Sequence, residues 1–150
     1  MTREWKFFIN DIYDAIRDIN TFVGTMKQRE FLSDNKTRSA VAFKIENIGE
    51  ASKNIPKEIK AKYKDIPWTD MAGMRDKITH FYFGINYKVV WSVVKKELPG
   101  IEPLIAKILI DVGIKHNIPE VNARANVKKV HGKTPGGKNT PSKRKKTPNR

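Results

Sequence analysis

Three histidines occur in the 150 residues, His80, His116 and His131, and His80 has the most chemically useful neighbours. Arg75 stands five positions before it, Asp76 four before, Thr79 one before and Tyr82 two after. Such a set suits work on a phosphate ester. A guanidinium grips anionic oxygens, an imidazole moves protons near neutral pH, and a carboxylate can hold that imidazole in one tautomer. If the segment is one helix, Asp76 and His80 are i, i+4 partners. At roughly 100° per residue, Tyr82 then falls nearly under Arg75, with Asp76 about 100° round and His80 about 140°. Arg75, Asp76, Thr79, His80 and Tyr82 would share one polar arc, opposite Met74, Ile78 and Phe81. An arc that wide does not focus on a single atom, so a second helix or a second copy of this one must close the pocket. Taken by itself, a lone histidine on a helix surface is more often an ordinary solvated side chain.

Other chemistries have less support. There is no His-Glu-x-x-His motif, no second histidine at ligand spacing and no clustered carboxylate set, so neither a metal nor another cofactor is expected. Gly136-Gly137 lies in a polar tail rather than between a strand and a helix, and no nucleophile elbow accompanies a serine. Cysteine is absent, which removes disulfides, thiolate zinc sites and a cysteine nucleophile and fits a reducing compartment.

The elements that must position these residues read as helices. Trp5, Phe8, Ile9, Ile12, Ile16, Ile19 and Val23 recur in steps of three and four between charged residues, which predicts a first amphipathic helix. Ser33-Asp34-Asn35 offers caps for a second, with the stripe Val41, Ile45, Ile48, Ser52 and Ile55 and an end at Pro56. Residues 57–64 can hold a short helical turn, and Ile66-Pro67 reads as extended. Thr69 or Asp70 can cap a third helix burying Met71, Met74, Ile78 and Phe81. After Gly84, Asn86 can cap a fourth, with Val90, Trp91, Val94, Leu98, Ile101, Ile105 and Ile108 on its apolar side. Pro99 and Pro103 predict a kink or break in it. Trp68 and Trp91 read as core or interface anchors rather than base-stacking platforms. No strand-like alternation and no internal repeat is seen. The expected fold class is all-α, an antiparallel bundle of four main helices.

The formal charge of +14 is concentrated at one end. From Lys115 onward there are 11 Lys/Arg and one acid, Glu120, a net of +10; residues 1–114 carry 19 basic and 15 acidic groups, a net of +4. Residues 132–150 contain no large apolar side chain, so they lack the surface whose burial offsets ordering entropy. The expected organisation is therefore a domain over residues 1–114 and a disordered basic tail over 115–150. The Lys143-Arg144-Lys145-Lys146 run either holds nucleic acid nonspecifically or is simply solvated. No apolar run approaches the roughly 20 residues that span a bilayer, and the N-terminus has no signal-peptide pattern. A cytoplasmic protein with no membrane association is expected.

Several separate blocks, in order and at matching spacing, resemble the HepT-like branch of the HEPN family. They are Ile45-Glu46-Asn47-Ile48-Gly49-Glu50-Ala51, Ile66-Pro67-Trp68, Met71-Ala72-Gly73-Met74-Arg75-Asp76 and His80-Phe81-Tyr82-Phe83-Gly84. The family's Arg-x4-His-x-Tyr pattern is present as Arg75, His80 and Tyr82, and only the tail departs from the family's usual ending. The resemblance implies an all-helical homodimer whose interface cleft is lined by Arg75 and His80. It implies a metal-independent endoribonuclease toxin acting on RNA and neutralised by an MNT-type minimal nucleotidyltransferase antitoxin, which transfers AMP to Tyr82. On that footing His80 serves as general base or acid and Arg75 as phosphate clamp. Asp76, Thr79 and Glu50 support them, and Tyr82 is the AMP acceptor. Glu50 is otherwise a packing or solvated position. The alternative is a catalytically silent HEPN module that binds RNA or protein and is the transferase's substrate.

Overall fold

The computed structural model describes residues 3–80, 82 and 84–115. The expectations for Phe81, for His116 and His131, and for the tail beyond Lys115 lie outside the described residues. The fold class is all-α, as the periodicity predicts. Helix α1 (Trp5–Val23) buries Ile9, Ile12, Tyr13, Ala15, Ile16, Ile19 and Val23. It stops at Gly24, whose φ of +51° lies in the left-handed region and whose N–H donates to the Asn20 carbonyl at 2.9 Å. Helix α3 (Asn35–Lys53) starts where Asp34 caps it. One carboxylate oxygen of Asp34 accepts from the Thr37 N–H at 3.0 Å, and the other from the Thr37 hydroxyl at 2.8 Å. Its buried side is Val41, Ala42, Ile45, Ile48, Gly49, Ala51 and Ser52. Buried Ser52 donates its hydroxyl proton to the Ile48 carbonyl at 2.6 Å, so its polar atom is satisfied.

Helices α1 and α3 run antiparallel. Lys44, near the middle of α3, pairs with Asp18 late in α1 at 2.8 Å, while Phe8 and Asp11 early in α1 share a groove with Glu50 and Asn54. Between them sits a short helix that periodicity does not reveal, α2 (Gln28–Ser33). It is held by one fully buried anchor, Phe31, whose ring lies 5.2 Å from that of Trp91. The short turn after Pro56 is α4 (Lys57–Lys62), which buries nothing. Trp68 is buried, with its indole N–H donating to the Tyr63 carbonyl at 3.0 Å, and is the anchor that its type predicts.

The third helix departs from expectation. Pro67 occupies the N-cap position, and neither Thr69 nor Asp70 caps it. The helix is broken at Gly73 into α5 (Trp68–Ala72) and α6 (Met74–Ile78), both packed on α3. It ends at Ile78, where Thr79 turns extended (φ −95°, ψ 127°). A two-rung antiparallel hairpin follows, β1 (Thr79–His80) and β2 (Gly84–Ile85), pairing Thr79 with Ile85 and His80 with Gly84. So the expectation of no strand is wrong at this one place. Gly84 has φ +75°, a conformation a side chain would strain. The Asn86 N–H then closes onto the Ile78 carbonyl at 2.8 Å.

Asn86 caps the last helical stretch as its type predicts. Its side-chain oxygen accepts from the N–H groups of Lys88 at 3.2 Å and Val89 at 3.3 Å. The stretch runs as α7 (Tyr87–Ser92), a π-helical segment Val93–Glu97, and α8 (Leu98–Asp111). The interruption expected at Pro99 is a widening of the ladder just before it, and Pro99 then stands in the first turn of α8, where a missing N–H is not needed. Pro103, by contrast, lies inside α8 and does not end it as expected. Helix α8 packs on α1, and Tyr63 donates its hydroxyl proton to Asp111 at 3.1 Å. Burial, then that hydrogen bond, pushes the Tyr63 phenol above its ordinary pKa. Among the described residues no helix is long and apolar enough to cross a membrane.

Candidate active site

Arg75 enters the site from the first turn of α6, directly after the Gly73 break. Its height above the core is set by α3. A Cβ built on Gly49 would lie 3.4 Å from the Met71 carbonyl oxygen and 3.7 Å from the Arg75 nitrogen, so the two segments pass at backbone contact distance. Lys77, two residues on, pairs with Glu97 of the π segment and ties α6 to the last helix. Arg75, Asp76 and Lys77 are all exposed. Among the described residues Arg75 has no carboxylate partner, so its guanidinium keeps all its donors for an outside anion.

Thr79 is bound back to this turn, its hydroxyl donating to the Arg75 carbonyl at 2.7 Å. His80, next along β1, is exposed, and its Nε2 lies 3.0 Å from the side-chain amide nitrogen of Asn86. Tyr82 is 87% exposed at the hairpin tip. Arg75 on α6, and Thr79, His80 and Tyr82 beyond its end, are thus all exposed to solvent.

Three sequence-based expectations need correcting or narrowing. The single helical arc does not exist, because Thr79, His80 and Tyr82 lie beyond the end of α6. For the same reason Asp76 is not an i, i+4 helical partner of His80, and no hydrogen bond joins them among the described residues; the ring is held by Asn86 instead. The carboxylate of Glu50 is bound to Lys53 at 3.2 Å and lines the α1–α3 groove, with Phe8, Asp14 and Lys44. Neither Arg75 nor His80 lines that groove. Sequence reasoning treated Asn86 only as a cap and missed its contact with His80. The available signal was a side chain with both a donor and an acceptor, placed six residues after the histidine and directly before a helix.

Comparison with known proteins places the chain. The family model described as Ribonuclease HepT-like matches residues 12–108. A Methanocaldococcus jannaschii protein named "Putative RNase MJ0127" is 41% identical over 110 residues, 73% of this chain and 91% of the relative. Thermococcus cleftensis "Probable ribonuclease HepT" is 43% identical over 108 residues, 72% of this chain and 98% of the relative. No solved structure matches the chain. Identity at this level, extending across the break at Gly73, the hairpin and the last helix, means that the chain belongs to the HepT-like ribonuclease family.

Proposed function

We propose that the protein is a metal-independent endoribonuclease that works as the toxin of a toxin–antitoxin pair, with Arg75 and His80 as its catalytic residues. The observation that carries this reading is the exposed guanidinium of Arg75, without a carboxylate partner among the described residues, five positions before the exposed imidazole of His80. RNA offers its own nucleophile. The 2′-hydroxyl gives its proton to a base, the 2′-oxygen bonds to phosphorus, and the bond from phosphorus to the 5′-oxygen breaks. A proton delivered to that 5′-oxygen leaves a cyclic phosphate and a free 5′-hydroxyl. The anionic oxygens gain charge on the way, and a guanidinium aimed at them stabilises that state more than the ground state.

One imidazole cannot serve both sides of the phosphorus at once. A homodimer supplies a second His80 and a second Arg75, so that one His80 takes the 2′ proton while the other protonates the leaving oxygen. Thr79 supports the turn that carries Arg75, and the exposed carboxylate of Asp76, next in the chain, shapes the surrounding charge. The hydroxyl of Tyr82 is the acceptor of AMP. Its oxygen attacks the α-phosphorus of ATP, pyrophosphate leaves, and the phenolic proton is lost. The added phosphodiester places negative charge and bulk beside Arg75 and excludes an anionic substrate. The donor enzyme is an MNT-type nucleotidyltransferase antitoxin.

The test is cleavage of RNA in excess chelator by His80→Ala and Arg75→Ala proteins, each checked for its helical circular dichroism. Losses of about 100-fold or more are expected for each, together with loss of growth arrest. Undiminished cleavage by His80→Ala would refute the assignment. Binding without cleavage by the wild type would favour the silent-module reading.

A further inference from the structure

Asn86 is tied into two structures at once, and the combination decides its orientation. Its Oδ1 accepts from two backbone N–H groups, Lys88 at 3.2 Å and Val89 at 3.3 Å, at the start of α7. Turning the amide over would replace that acceptor by a donor facing two donors, which leaves both N–H groups unsatisfied. The amide therefore points its Nδ2 hydrogens away from the helix, and that nitrogen lies 3.0 Å from His80 Nε2. An amide NH2 only donates, so the ring nitrogen it meets must accept. A neutral imidazole has one accepting nitrogen, and the other carries the hydrogen.

From this we infer that Asn86 is a positioning residue that sets the tautomer of His80: Nε2 holds the lone pair and Nδ1 the proton. This rests on the catalytic role proposed above for His80. An unconstrained histidine in water favours the opposite tautomer, with the hydrogen on Nε2, so the contact reverses an intrinsic preference rather than following it. The backbone supports the geometry, since the Asn86 N–H is bonded to the Ile78 carbonyl at 2.8 Å and His80 pairs with Gly84 across the hairpin. The cap of α7 and the reactive ring are thus one construction.

The consequence for the reaction is directional. The nitrogen able to take a proton is Nε2, and an incoming 2′-hydroxyl becomes its hydrogen-bond donor by displacing Asn86. Once Nε2 carries the transferred proton it is itself a donor. Asn86 cannot turn its carbonyl to receive it, because that oxygen holds the helix cap. The proton-loaded ring is therefore released from Asn86 toward the anionic phosphate.

The experiment is nitrogen-15 NMR on the full chain carrying labelled histidine, at about pH 8.5, well above the pKa of a model histidine. The His80 signals are identified by their loss in His80→Ala. The expected result is that Nε2 is the pyridine-type nitrogen of His80 and Nδ1 bears hydrogen. In Asn86→Asp and Asn86→Ser the cap on α7 is preserved, since both residues accept N-cap bonds. The aspartate has no donor for the ring, and the serine replaces the amide NH2 by a hydroxyl on a shorter side chain. Both variants should shift His80 toward the Nε2–H form and cleave RNA at least about tenfold more slowly, with unchanged helical circular dichroism. A wild-type His80 with hydrogen on Nε2 would overturn the inference and leave the ribonuclease reading standing, as would an unchanged tautomer in both variants. Full cleavage by His80→Ala would instead overturn the ribonuclease reading, whatever the tautomer.

Discussion

Asp34 illustrates how one carboxylate can carry a measurable pH dependence without any catalytic role. Its oxygens accept from the Thr37 N–H and the Thr37 hydroxyl. The backbone bond first, then the hydroxyl, favour the ionised form and hold its pKa below the ordinary aspartate value. A folded-state pKa below the unfolded one means that the ionised cap adds stability above the unfolded value, near pH 4. That contribution fades as the pH falls through the lower, folded-state value. Asn in this position keeps an acceptor for the Thr37 N–H but cannot titrate. Thermal melts of Asp34→Asn should therefore lose less of their midpoint than the wild type on going from about pH 5 to about pH 2. Equal losses in the two proteins would mean that the cap contributes nothing through ionisation. The caps at Asp34 and Asn86 were legible because short polar side chains before an apolar period have one common use. The second bond of Asn86 was not, because a contact to His80 requires the chain to fold back, and nothing local announces that.

At the scale of elements, the helices that periodicity identifies are the ones with a continuous one-sided burial. Helix α1 and helix α3 each show it over 19 residues. Helix α2 was invisible because six residues with Phe31 as their one buried anchor make no period. The hairpin was hidden for a different reason. Met71, Met74 and Ile78 keep helical spacing right up to the last residue before the turn, so the pattern gives no warning of the change, and two-residue strands are too short to alternate. What stops the helix is Gly84 at φ +75° and the closure of Asn86 on Ile78. The break at Gly73 matters because it lifts Arg75 over α3 at Gly49. A methyl at position 49 would sit 3.4 Å from the Met71 oxygen, an ordinary contact, while a branched side chain has no room there. Gly49→Ala should therefore be neutral or gain up to about 1 kcal/mol from helix propensity. Gly49→Val should lose about 1–3 kcal/mol by overpacking and slow cleavage by displacing Arg75. Denaturant melts with parallel cleavage assays decide this, and a Val variant as stable and active as Ala would show that the close passage does not set the arginine.

The whole molecule raises the question that a single chain leaves open, namely how many copies make one working site. One protomer presents one exposed Arg75 on α6 and one exposed His80 on the hairpin that follows it. In-line cleavage needs proton transfer on both sides of the phosphorus, and the dimer reading answers with two histidines acting on one phosphate. That makes the subunits interdependent in a way that mixing can expose. A trace of wild-type protein, unfolded and refolded with a large excess of His80→Ala chain, is driven almost entirely into mixed dimers by mass action. Each mixed dimer holds a single His80. If both are needed, activity per wild-type chain should fall by about 100-fold, approaching the level of the variant alone. If each protomer is a complete enzyme, activity per wild-type chain is unchanged by the excess. Dilution gives the complementary readout. Specific activity should decline at the concentration where sedimentation shows dimers giving way to monomers, whereas constant specific activity through that transition would rule out a shared site. The basic tail enters the same experiments, because its net charge of +10 can raise the affinity of any oligomer for RNA without contributing to chemistry. Repeating the mixing with protein truncated after Lys115 separates the two effects. The loss on mixing should persist without the tail, while the salt dependence of binding reports what the tail adds.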